Sequence, residues 1–316
     1  MTRLIPGLLA LLLFSLPAQA AAPRTFLYMP ADALGRYDAM LYRPEVEGVQ
    51  LVYSWKGLEP ARGEYDFGAI DAALARLEPL GKKLVIQVQD RFFTPKARNL
   101  PDYLLTDPTY GGGLVAQIDR PGQGKPVAQG WVAAQWNPPL RARYQALLAA
   151  LAERFDGRVL AITLPETAAD IDPRQPNAGF SCDAYVDATL DNLAATRRAF
   201  TRSRVVQYVN FWPCEWGDDH HYMSRLFAFA AANGVGLGGP DIVPGRKAQM
   251  ANAYPFFNRY RGRLPLVAMA VQEPTLTYTN PETGKPFTRQ ALVDYAERYL
   301  GVDIIFWTPA APWLRR

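Results

Sequence analysis

The sequence predicts an α/β fold, a single eight-stranded parallel β/α (TIM) barrel, on three observations. Short apolar runs rich in β-branched residues alternate with amphipathic stretches at helical spacing, the signature of parallel βα units. Eight such runs can be counted along the 316 residues. No Ser/Gly-rich linker, charge run or internal repeat divides the chain, and its length suits one barrel, which takes roughly 250 residues or more. A doubly wound open sheet would carry a glycine-rich phosphate turn after its first strand, and Ala31-Asp32-Ala33-Leu34-Gly35 is not one.

The first 20 residues read as a segment outside the fold. Arg3 gives a short positive start, residues 8–16 an apolar core, and Ala18-Gln19-Ala20 a small-residue cleavage site. That core is too short to span a bilayer, and no later stretch reaches 18 uninterrupted apolar residues. The expectation is a signal peptide over residues 1–20 and a barrel domain over 21–316. The protein would be exported, periplasmic or extracellular, with no membrane span. The net charge of +4 is dispersed, with no Lys/Arg cluster, so nothing argues for nucleic acid.

Strands are expected at residues 25–29, 49–54, 83–89, 159–164, 204–210, 235–238, 264–271 and 302–306. Helical patterns fill residues 69–80, 141–155, 184–200, 222–233 and 289–300. Gly81, Gly157, Gly234, Gly262 and Gly301 each stand just past a helical pattern and just before a strand, where a left-handed residue stops a helix. One connection is anomalous. Residues 91–139 are rich in Pro, Gly and Gln and contain Trp131 and Trp136. Loops of that length are usually functional or disordered. This one leaves the carboxyl end of a strand and should overhang the active face. Its tryptophans would either wall the active face or pack the loop to the barrel.

Cys182 and Cys214 are the only cysteines, and export permits a disulfide. Each follows a predicted strand by several residues, which places both in loops on one barrel face. A bridge is expected, although sequence leaves two separate thiols open.

Two glutamates end apolar strands: Glu166 in Leu164-Pro165-Glu166 and Glu273 in Val271-Gln272-Glu273. They lie 107 residues apart, about three βα units, which puts them on the fourth and seventh strands. Strand ends carry the chemistry of such barrels. Two carboxylates facing each other across a barrel mouth are what cleavage of a glycosidic bond needs.

The stretch from Trp55 through Glu59-Pro60, Gly63 and Tyr65-Asp66-Phe67 to Ile70-Asp71 resembles the clan A glycoside hydrolases. The match is specific in residue type and spacing but covers little of the chain. Elsewhere the resemblance is an order of elements. Pro60 and Gly63 shape the turn, Asp66 is placed to cap the next helix, and Glu59 is read as ordering the loop. The resemblance implies a retaining hydrolase with Glu166 as acid/base, Glu273 as nucleophile and Trp307, ending the eighth strand, as the floor of the sugar site. A retaining pair stands about 5–5.5 Å apart. Trp55, Trp212 and Trp216 would extend the groove, and Asn210, Gln89 and Tyr278 are further candidate sugar contacts. One departure stands out. Many clan members place Asn immediately before the acid/base, where it can contact the sugar 2-hydroxyl, and here the residue is Pro165, so either another group such as Asn210 or Gln89 substitutes or activity is low or absent.

Other chemistries lack their parts. His220 and His221 are the only histidines, and adjacent residues on a helix do not face one point. There is no HExxH, no Gly-x-Ser-x-Gly elbow and no P-loop. Gly111-Gly112-Gly113 is a lone glycine run. Glu215, after the fifth strand, is a rival carboxylate read as substrate contact or structure. The expectation is therefore a glycosidase that acts on carbohydrate without metal or cofactor. The alternative is a carbohydrate-binding barrel impaired in catalysis.

Overall fold

Eight parallel strands close into a barrel in the computed structural model, which describes residues 22–120, 127–172, 174 and 179–315. The expected signal peptide lies outside these residues. The strands are β1 (Arg24–Pro30), β2 (Val46–Ser54), β3 (Lys83–Gln89), β4 (Ala161–Leu164), β5 (Arg204–Tyr208), β6 (Gly236–Gly239), β7 (Val267–Val271) and β8 (Ile304–Trp307). Each pairs in parallel with its sequence neighbours, and β1 closes the ring on β8.

The expected helices are present as α1 (Gly68–Leu77), α2 (Pro138–Phe155), α3 (Cys182–Ala199), α4 (Tyr222–Asn233) and α5 (Arg289–Tyr295). Local signals start them: Asn137, Ser181 and Thr288 each accept a backbone N–H in the first turn of α2, α3 and α5. All five expected glycines adopt positive φ. After β1 only short turns, Ala31–Tyr37 and Asp38–Leu41, stand where a long helix would be.

Strand alternation sorts the side chains into two cores. Phe26, Val85, Ala161, Val206, Tyr208, Ala268, Ala270, Ile304 and Phe306 fill the barrel interior. Leu27, Val49, Ile86, Val205, Val271 and Trp307 point outward to the helices. The interior is tight at β6. A Cβ on Gly238 would meet the Ala268 carbonyl oxygen at 1.9 Å and the Tyr208 ring at 3.1 Å, so the glycine-rich strand makes room for a tyrosine.

The long connection after β3 is ordered in a way its composition did not foretell. It holds a three-stranded antiparallel sheet of Arg91–Phe92, Leu114–Asp119 and Val127–Ala133. Gly130 allows two of these strands to touch, since a Cβ there would sit 1.7 Å from the Phe92 carbonyl oxygen. Its tryptophans pack the excursion down. Trp136 is buried edge-on against Phe180 and Tyr185. The Trp131 indole donates to the Pro95 carbonyl, with the Arg98 guanidinium 4.0 Å above its ring.

Cys182 and Cys214 are bridged, with Cα atoms 6.3 Å apart. Cys182 is the first residue of α3 rather than a loop residue, so the bridge ties that helix start to the loop after β5. Among the described residues, no helix is long and apolar enough to cross a membrane.

Candidate active site

The residue two places beyond each strand end builds the barrel rim. From β3 to β7 these residues are Arg91, Glu166, Asn210, Asp241 and Glu273. Three carboxylates, one cation and one amide therefore share the C-terminal mouth. Beneath them lies a buried polar layer: Tyr208 donates to Gln50 at 2.6 Å, and Gln50 donates to Gln87 at 2.9 Å.

Glu166 is the most perturbed carboxyl of the rim. Burial pushes it up from the usual range to about 7, and the charges of Asp241 and Asp170 push the same way. The Asn210 hydrogen bond and the Arg91 guanidinium oppose the rise without cancelling it. Asn210 donates to Glu166 at 2.9 Å, and its own amide oxygen accepts from Gln249 at 2.7 Å. Asn210 thus holds the Glu166 carboxyl itself. Pro165 instead offers its carbonyl to Gln207. Gln89, the other suggested substitute, donates to the Arg91 carbonyl at 2.7 Å.

Arg91 is buried, donating to the Ala168 carbonyl at 2.7 Å and the Tyr185 hydroxyl at 2.8 Å, beside Asp90. Tyr28 on β1 is raised to about 12 by burial and by the nearby charges of Glu166 and Asp241.

Glu273 is exposed, and its carboxylate makes no hydrogen bond or ion pair among the described residues. It lines a cleft of about 340 Å³ with Tyr28, Arg36, Gln272 and Thr308. Tyr28 therefore borders both glutamates. Tyr278, in the turn beyond Glu273, lies under the Arg246 guanidinium at 4.9 Å.

The tryptophan expectations need correction. Trp307 is 0 % exposed and sits in the outer core, edge-on to Trp313 with ring centroids 5.0 Å apart. Alternation is the reason: Phe306 takes the inward position, so the residue after it faces the helices. Trp55 is also fully buried, against Tyr144, and donates to Glu59 at 2.8 Å. Trp212 is buried edge-on to Tyr185 and Tyr222. None of the three presents a ring face for a sugar. Trp216 is 56 % exposed and borders a cleft of about 720 Å³ that also reaches Asn210 and Asp170.

Three other carboxylates are structural. Glu59 is buried and accepts from Trp55, from the Gly63 N–H at 2.9 Å and from Tyr103 at 3.0 Å, while pairing with Arg143. It orders the loop after β2 as the sequence suggested. Asp66 accepts from the Gly68 N–H at the start of α1. Glu59→Ala should cost about 3 kcal/mol or more in urea unfolding, because Arg143 and three donors lose their acceptor together. Glu215 caps α4, accepting from the Tyr222 and Met223 N–H groups. His220 and His221 precede that helix on the surface, His221 as its N-cap residue.

Asp241, Arg91, Tyr28 and Gln249 escaped the sequence reading. The signal for Asp241 was present. It follows Gly239-Pro240 with the same offset that Glu166 has from Leu164.

No family model matches the chain, and no curated protein matches it in sequence. Solved structures do match in shape. The catalytic domain of a β-amylase from Paenibacillus polymyxa is similar with a TM-score of 0.60 at 10% identity, over 91% of this chain and 93% of that one. A β-galactosidase from Bacillus circulans sp. alkalophilus gives 0.58 at 12% identity, and one from the psychrophilic Marinomonas ef1 gives 0.56 at 12%. Each covers 90% of this chain, which spans about half the length of either galactosidase (50% and 53%). At these identities the likeness is one of fold. The barrel that resemblance to clan A glycoside hydrolases implied is the barrel observed.

Proposed function

We propose that this chain is an exported retaining glycoside hydrolase that cleaves O-glycosidic bonds of an oligo- or polysaccharide by a two-glutamate mechanism. Glu166 carries the reading. A carboxyl that holds its proton to about pH 7 at the mouth of such a barrel is suited to protonate a leaving oxygen. In the first step the Glu273 carboxylate attacks the anomeric carbon, the bond to the leaving oxygen breaks, and the Glu166 proton goes to that oxygen. In the second step Glu166, now a base, takes a proton from water, whose oxygen displaces Glu273. No cofactor enters.

Asn210 fixes the orientation of Glu166, and Trp216, on the cleft that reaches Asn210, offers an exposed ring on which a further sugar could stack. Retention requires the two carboxyls to stand about 5–5.5 Å apart around the bound sugar. A 2-deoxy-2-fluoro glycoside with a good leaving group tests the nucleophile, because it stalls the covalent intermediate. Mass spectrometry of the digested protein should find the sugar on the peptide containing Glu273. A label on another carboxylate, or inverted product from the natural linkage, would refute the assignment.

A second reading, a carbohydrate-binding barrel without turnover, is favoured by the exposure of Glu273 and the lack of a partner for its carboxylate among the described residues. It predicts saturable sugar binding and no released product.

A further inference from the structure

Asp170 is a carboxylate that the proposed reaction leaves unused. It stands four residues past Glu166, on the wall of the cleft of about 720 Å³ that reaches Asn210 and the exposed Trp216 ring. The antiparallel excursion after β3 holds its backbone from both sides. The Ile118 N–H donates to the Asp170 carbonyl at 2.9 Å, and the Asp170 N–H donates to the Gln117 side-chain oxygen at 3.5 Å. Gln117 is buried and anchored in turn, donating to the Phe92 and Trp131 carbonyls. The Asp170 carboxylate is partly buried, yet it makes no hydrogen bond or ion pair among the described residues. Withdrawing a carboxylate from water without a partner costs free energy, and a ligand that brings the donor recovers it.

The rest of the cleft narrows the ligand. Its described lining holds three carboxylates and no Lys or Arg, on a chain whose net charge is +4. Two of the three are engaged: Glu215 caps α4, and Asp219 accepts the Trp216 N–H at 3.0 Å and pairs with His220 at 2.8 Å. On the same wall Trp212 is 1 % exposed, and its indole N–H has no acceptor among the described residues, which suits a ligand hydroxyl. Among the described residues no three carboxylate, histidine or cysteine groups converge closely enough to hold a metal ion, which favours an organic cation. An exposed indole and an unpaired carboxylate on one cleft fit a sugar that carries an ammonium group. Its ring and charge lie against the indole, and its N–H donors meet the carboxylate.

We propose that this cleft is a subsite for a protonated amino sugar, with Asp170 as its specificity-determining carboxylate. This deepens the hydrolase reading, on which it rests for the substrate being a carbohydrate, and names the class: a chain with free amino groups. Titration calorimetry on the wild-type protein tests it with three β-1,4-linked tetramers, of glucosamine, N-acetylglucosamine and glucose, which differ only at the second ring carbon. Chromatography of each mixture afterwards shows whether the chain was cut. The glucosamine tetramer should bind about tenfold tighter than the other two, as one charge-assisted hydrogen bond provides. High salt should shrink that preference. Asp170→Asn, nearly isosteric, should bring the glucosamine tetramer down to the level of the others while leaving those little changed. Trp216→Ala should weaken all three. Equal binding of the three by the wild type, binding of none, or a preference that survives in folded Asp170→Asn overturns the proposal. If the preference is found and no glycoside of any class is cut, the hydrolase reading falls and the subsite stands. Cleavage of a neutral chain with no glucosamine preference does the reverse.

Discussion

Glu166→Gln is expected to remove hydrolysis of natural linkages while making the protein more stable at alkaline pH. The loss of activity follows from the leaving group. A sugar alkoxide cannot depart without a proton, so removing the acid should lower kcat/KM by about 10³-fold or more. A dinitrophenyl glycoside, whose leaving group is stable as an anion, should lose far less in its first step. The gain in stability follows from linkage. In the folded protein Glu166 keeps its proton up to about pH 7, against a usual value of 4.5. The folded state therefore binds the extra proton between those values, and stability falls as pH rises through the window, by at most about 3 kcal/mol. Glutamine has no charge to bury. Glu166→Gln should match the wild type near pH 4 and melt several degrees higher near pH 8. Equal melting temperatures at pH 8 would mean that the glutamate is not held protonated by the fold.

Trp307→Ala is expected to act on the fold, not on the sugar. Its ring is enclosed in the outer core between β8 and Trp313, and large-to-small changes at such positions cost about 3–5 kcal/mol. Urea unfolding should show that loss. Trp307→Phe should lose much less, because the indole N–H has no acceptor among the described residues and only part of the ring volume goes. A stable, well-folded Trp307→Ala protein with poor turnover would return the residue to the sugar site.

The barrel was legible because its signals are local and redundant. Apolar runs, helical periodicity and the five helix-stopping glycines all marked the same boundaries, and strand limits moved by only a few residues. Glu166 was legible for the same reason, being a lone carboxylate just past an apolar strand. What escaped depends on direction. Trp307 and Phe306 are adjacent aromatics, and which one faces inward is set by the pairing of β8 with β1 and β7, not by either residue type. Asp241 lies three residues past the strand expected at 235–238, and its place on the rim shows only once that strand is seen to end at Gly239. The antiparallel excursion after β3 was hidden by a composition that resembles a loop. Arg91 belongs to its first strand, and its burial comes from contacts 77 and 94 residues away, with Ala168 and Tyr185.

Glu166 is expected to deliver a proton to a departing sugar oxygen at this barrel mouth. The most direct test is kcat/KM against pH for hydrolysis of a panel of oligosaccharides and aryl glycosides, by wild type and Glu166→Gln side by side. At least one substrate should show wild-type cleavage that falls away above about pH 7, with that limb absent and the rate on the natural linkage about 10³-fold lower in Glu166→Gln. Cleavage that survives unchanged in a folded Glu166→Gln protein, or no cleavage of any glycoside by the wild type, would contradict it.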